Sequence, residues 1–144
     1  MVRSAHIRAP GDFPEPPEPA VASDQPAGLA DIMALRVESA DDGSPLLLQS
    51  PHPALNNTLG TVHGGAAAAG LELAASAVLN HDRCDAPLHT ASLRVIFGGR
   101  FFSGAESHYA ATVLRRTGRS GVAQAQAIGA DGGIALTGWV TAYW

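Results

Sequence analysis

The sequence predicts an α+β domain in which an antiparallel sheet of about five or six strands wraps one long helix. Three observations predict it. The stretch Gly64–Asn80 is mostly Ala and Leu, with no proline and few β-branched residues, which favours helix. Four later segments alternate apolar and polar residues or are bounded by turn chemistry, and two short strand-like runs precede the helix. At 144 residues the chain has the usual size of one domain and is long enough to bury a core without disulfides or a metal.

In chain order, residues 10–26 hold six of the ten prolines, mixed with Asp and Glu. That composition favours extended or disordered backbone, so residues 1–25 are expected to form a tail and 26–144 the folded domain. Residues 32–38 and Pro45–Gln49 read as a first hairpin, with Asp41, Asp42 and Gly43 supplying the turn. After the helix come strands over 88–97, 107–116, 121–130 and 133–144. In the first of these Leu93, Val95 and Phe97 share a face; in the third Ala123, Ala125 and Ala127 oppose Gln124 and Gln126. Thr117-Gly118-Arg119 and Asp131-Gly132-Gly133 have hairpin length, and the C-terminal half reads as an antiparallel meander. An Ala- and Gly-rich helix suits a sheet that curls closely around it.

Composition narrows function. Hydrophobic residues make up 46 % and charged residues 15 % of the chain, an apolar lean that points to a surface covered by a second subunit. With a formal net charge of -4 and no basic cluster beyond Arg115, Arg116 and Arg119, nucleic acid is not an expected partner. Cys84 is the single cysteine, so no intramolecular disulfide forms. No apolar leader pattern is present, which makes the cytoplasm the expected location. The most apolar run, 66–79, is interrupted by Glu72 and falls short of the ~20 residues a membrane span requires. No His or Cys spacing suited to zinc occurs, no Gly-x-Ser-x-Gly elbow is present, and no metal or cofactor is expected.

The chemistry concentrates in the run Asn57-Thr-Leu-Gly-Thr-Val-His63-Gly64-Gly65, followed seven positions later by Glu72 inside the helix. From about residue 50 to the C-terminus this pattern resembles hotdog-fold acyl-CoA thioesterases of the PaaI-like and 4-hydroxybenzoyl-CoA groups. In those proteins Asn or Gln, then His-Gly-Gly, then Asp or Glu recur at this spacing. The resemblance implies a hotdog domain that hydrolyses an acyl-CoA to a free acid and CoA, with coenzyme A as part of the substrate rather than a cofactor. It places Asn57 on the water or the substrate carbonyl, His63 beside the site in a chiefly structural position, a hydroxyl at Ser76, and a hydroxyl at Thr90 that assists water. Two features depart from it: Gly98-Gly99-Arg100-Phe101-Phe102 stands where relatives carry Pro-Ala, and Glu rather than Asp occupies position 72.

The residues carry a physical reading of their own. The first N–H groups of a helix lack intrahelical acceptors, and glycine at 64 and 65 lets a ligand approach them. With the helix dipole behind them, these donors would hold the oxyanion formed when a thioester carbonyl is attacked. Glu72 is the single charge between Gly64 and Asn80, and a lone acid among Gly70, Leu71, Leu73 and Ala74 is costly unless a donor satisfies it. It would serve as nucleophile or as general base for water; both routes remain open. Ser76, one turn further along the same face, would orient that water or bind the carboxylate. Gly64 and Glu72 are eight residues apart, about 12 Å along the axis, so they cannot meet at one carbonyl carbon. Two antiparallel helices about a twofold axis bring Gly64 of one chain beside Glu72 of the other, twice. A homodimer is therefore expected, with pairing of dimers into a tetramer as the extension. The Arg116, Gly118, Arg119, Ser120 turn offers charge and free N–H groups to the CoA phosphates. Rival readings are an acyl-CoA-binding sensor without turnover, a hotdog hydratase or dehydratase, and a structural subunit.

Overall fold

The computed structural model describes residues 28–144; the tail expected over 1–25 lies outside the described residues. The chain forms a helical turn α1 (Leu29–Ile32), strands β1 (Leu35–Ser39) and β2 (Pro45–Gln49), a 3-10 turn at Pro53–Leu55, the long helix α2 (Gly64–Asn80), and strands β3 (His89–Phe97), β4 (His108–Arg116), β5 (Ser120–Ile128) and β6 (Ile134–Tyr143). One boundary is corrected. Residues 29–32 wind into α1 instead of opening a strand at 32, because Asp31 reaches back to accept the Gly28 N–H at 3.2 Å. The first strand then begins three residues later.

All six strands pair antiparallel in the order β1-β2-β4-β5-β6-β3, so the expected α+β architecture is the one observed. The meander holds for β4, β5 and β6 alone. Instead of lying beside β4, β3 pairs with β6 at the far edge, because the connection through α2 carries the chain across the sheet before β3 begins. The β1–β2 turn is set by Gly43 at φ 79 and by Asp42, whose Oδ1 accepts the Ser44 N–H at 2.9 Å.

The core lies between α2 and the concave face of the sheet. Ala67, Leu71, Ala74, Ala75 and Leu79 meet Tyr109, Ala123, Ala125, Ala127, Val140 and Ala142, all at most 1 % exposed. Alanines on β5 let the sheet close on the helix, and Gly70 takes the Tyr109 ring directly, for a Cβ there would stand 2.3 Å from its Cζ. The buried Tyr109 hydroxyl donates to Gln49 Oε1 at 3.0 Å, and Gln49 Nε2 donates to the Met33 carbonyl at 2.9 Å. This buried polar chain ties β2 and β4 to the segment before β1 with its hydrogen bonds satisfied.

Candidate active site

The loop before α2 is built by Asn57. Its Oδ1 accepts the N–H groups of Leu59 (2.9 Å) and Thr61 (3.2 Å), and its backbone N–H donates to the Thr61 carbonyl at 2.8 Å. Gly60, at φ 75, makes that tight reversal possible. Asn57 is thus a loop former whose amide NH2 remains available at the surface. His63 is the N-cap of α2, and its Nδ1 accepts the Gly65 N–H at 3.1 Å. Gly65 is consequently engaged, whereas the Gly64 N–H has no acceptor among the described residues. The Phe97 ring, 61 % exposed, lies over Gly64, 3.2 Å from where a Cβ would stand.

Glu72 is half-buried at the middle of α2, and Thr90 Oγ1 donates to its Oε1 at 2.5 Å. A β-bulge creates this contact. Thr90 is opposite Ala142 and Ser92 is opposite Thr141, which leaves Ala91 unpaired. Strict alternation back from Leu93 would have turned Thr90 away from the helix; the extra residue turns it inward, onto the face of the buried Ala142. Ser76 does not reach Glu72: its Oγ accepts from Asn80 Nδ2 at 3.4 Å. Asn80 also clasps the start of β3, donating to the Leu88 carbonyl at 2.9 Å and accepting the Leu88 N–H at 2.7 Å. Three contacts thus run along the same side of α2, Asn80 with Leu88, Glu72 with Thr90 and Gly64 with Phe97, all against the edge strand β3.

The β4–β5 turn stands at the other end of α2 from Gly64. Arg116 is occupied: it binds Asp82 through both guanidinium nitrogens, at 2.6 and 3.0 Å, and caps the helix at the Leu79 carbonyl at 3.1 Å. The Arg116 hydrogen bonds, above all, hold the Asp82 carboxyl below the ordinary carboxylate range. Thr117 Oγ1 accepts the N–H groups of Arg119 (3.3 Å) and Ser120 (3.1 Å), and the Gly118 carbonyl accepts from Arg83 at 2.9 Å. The Arg119 side chain makes no ion pair among the described residues.

A cleft of about 250 Å³ opens beside Gly64, lined by Asn57, Gly64, Phe97, Arg100, Phe101 and Leu136 among others. The structure therefore makes two half-sites in one chain: Asn57, Gly64 and the cleft at the helix N-terminus, and Glu72 with Thr90 a little over two turns further on. Sequence reading missed Asn80, Phe97 and Arg100. Phe97 carried a signal as the aromatic end of its strand, and Arg100 as part of the Gly98-Gly99-Arg100-Phe101-Phe102 segment that departs from the relatives; Asn80 carried none. Among the described residues no group of three or more His, Cys, Asp or Glu gathers, and no helix is long and apolar enough to cross a membrane.

No family model matches the sequence, and no curated protein sequence matches it. Solved structures do. The BH2602 protein of Bacillus halodurans, determined with CoA, is similar with a TM-score of 0.73 at 20 % identity, over 84 % of this chain and 80 % of that one. Zebra fish thioesterase superfamily member 2 gives 0.71 at 19 %, over 83 % and 88 %. The Escherichia coli PaaI protein of the phenylacetic acid degradation operon gives 0.69 at 15 %, over 79 % and 81 %. Six antiparallel strands wrapped around α2, shared with thioesterase-superfamily structures over four-fifths of the chain, give this protein the hotdog fold.

Proposed function

We propose that the protein is an acyl-CoA thioesterase that works as a homodimer, with Glu72 as nucleophile or general base and the Gly64 N–H of the other subunit as oxyanion donor. The observation that carries the reading is the placement of Glu72 and Gly64 along one open sheet edge. Glu72 is held by Thr90, the Gly64 N–H is free, and about 12 Å of helix separates them. The edge itself supports a second copy. β3 is nine residues long, ends the sheet, and presents a row of backbone groups unpaired among the described residues, with Ile96 half exposed. Monomeric proteins rarely leave such an edge open. Pairing about a twofold axis would seat each Gly64 beside the partner's Glu72.

In that arrangement the thioester carbonyl oxygen accepts the Gly64 N–H, backed by the α2 dipole. The Glu72 oxygen not bound by Thr90 attacks the carbonyl carbon, or takes a proton from a water that does. By the first route the C–S bond breaks to leave an anhydride on Glu72, which water then hydrolyses to the free acid, its proton balancing the departed thiolate; by the second the C–S bond of the tetrahedral intermediate breaks and the proton held by Glu72 passes to the CoA thiolate. The solved structure of BH2602 with CoA supports a CoA ester as the ligand class. The β4–β5 turn offers Arg119 and Ser120 to the CoA phosphates, while Arg116 supports that turn through Asp82 and Leu79.

The test is hydrolysis of short, medium, long and aromatic acyl-CoAs, followed as free thiol release, by the wild type and Glu72→Gln. The substitution is expected to lower kcat by about 100-fold or more with the dimer intact by light scattering. Equal turnover by both proteins would remove Glu72 from the chemistry. Tight acyl-CoA binding with no turnover by the wild type would replace the enzyme with a sensor.

A further inference from the structure

We infer that the cleft beside Gly64 receives the acyl group and that Arg100 reads an anion on it, so that the preferred substrate is the monothioester of a dicarboxylic acid. The choice of an acyl thioester as occupant rests on the thioesterase reading; the anion preference rests on the cleft. Its walls are apolar at Phe97, Phe101 and Leu136, and Gly64 opens into it. An acyl chain whose carbonyl accepts the Gly64 N–H therefore runs directly onto those side chains.

Arg100 lines the same cleft and also borders two further hollows of about 220 and 290 Å³ along the β5–β6 turn, where Asp131 is its acidic neighbour. Asp131 makes no ion pair with it. The Asp131 Oδ1 accepts the Gly133 N–H at 2.9 Å, folded into its own turn. The ion pairs among the described residues are Arg36 with Glu38 and Arg116 with Asp82, so Arg100 has no acidic partner there. An unpaired guanidinium at the border of an apolar cleft complements a ligand with an apolar body and a terminal carboxylate, which it can bind through two parallel hydrogen bonds. The CoA phosphates offer the same anionic chemistry, and the experiment separates the two sources.

Glutaryl-CoA and pentanoyl-CoA have five-carbon acyl groups and differ in the terminal carboxylate. The wild type is expected to favour glutaryl-CoA in kcat/KM. In Arg100→Ala and in the similarly sized Arg100→Gln the glutaryl-to-pentanoyl ratio is expected to fall at least about tenfold, with Arg100→Lys in between. An unchanged ratio overturns the inference. So does an equal loss on both CoA esters that vanishes with the matching N-acetylcysteamine thioesters, which places the anion in the CoA phosphates. If the wild type hydrolyses neither ester, calorimetry with the non-hydrolysable thioether analogues of the two esters decides. A glutaryl preference that Arg100→Ala abolishes keeps the inference and discards the thioesterase reading; no preference discards the inference as well.

Discussion

Thr90 reaches Glu72 only because Ala91 is an extra residue in β3, and that makes the hydroxyl, rather than the strand, the feature to vary. Thr90→Val keeps the shape and β-branching of the side chain and removes the donor. A hydrogen bond to a charged group contributes about 1.5–3 kcal/mol, so kcat is expected to fall about 10- to 100-fold, with Thr90→Ser recovering most of it. Stopped assays of thiol release measure this, and full activity in Thr90→Val would make the contact incidental. At the opposite end of α2 the pair of Asp82 with Arg116 makes a pH-dependent prediction. The carboxyl pKa is lowered in the fold, so the stabilisation is present above the unfolded value of about 3.9 and is lost as pH falls through the folded value. Asp82→Asn is expected to melt at a lower temperature than the wild type at pH 7, and the gap to close as pH falls through the lowered folded value. A gap that persists in acid would assign the effect to something other than this carboxylate. Neither contact was legible in the sequence. Asp82 and Arg116 are far apart in it, and an alternation argument runs the wrong way for Thr90, since a bulge leaves no mark on a run such as Thr90-Ala-Ser-Leu.

The element that was most legible is α2, whose limits Gly64–Asn80 follow from its Ala- and Leu-rich composition without proline. Its length and its lone acid were enough to make a site shared by two copies the expectation, since rise per residue fixes the distance from Gly64 to Glu72. Less legible was why its glycines fall where they do. Gly70 stands in the middle of the helix, where glycine costs up to about 1 kcal/mol relative to alanine, and the reason is tertiary: the Tyr109 ring occupies the space of a Cβ. Gly70→Ala is therefore expected to destabilise despite the better helix former, by about 1–3 kcal/mol from overpacking, because Tyr109 is fixed by Gln49 and by Phe101, whose ring centroid is 5.2 Å away. Urea denaturation checks this; a gain in stability would show that the ring moves aside at little cost. The first strand was misjudged for a related reason, as a four-residue helix held by one aspartate is shorter than any periodicity can register.

At the scale of the whole molecule, the sheet order depends on where α2 delivers β3, which no local pattern encodes, so a meander was expected and a single sheet with β3 at the far edge, beside β6, is found. In the proposed dimer the candidate site divides between subunits at that edge, and the division can be tested by mixing two inactive chains. Glu72→Gln removes the acid. Gly64→Pro removes the N–H donor with little local strain, because Gly64 is the first residue of α2, a position that tolerates proline, and His63 before it already has φ -57 and ψ 136, as a residue preceding proline prefers. The Cβ introduced meets the exposed Phe97 ring, which can turn away. Loss of an oxyanion donor costs about 100-fold or more, so each homodimer is expected to be nearly inactive. In a heterodimer one site combines the intact Glu72 of the proline chain with the intact Gly64 of the glutamine chain, and the other site is doubly defective. Random reassociation of equal amounts makes half the dimers mixed, each with one working site of two, and therefore about a quarter of wild-type activity. If Glu72 and Gly64 acted within one chain, every chain in the mixture would carry a defect and no activity would return.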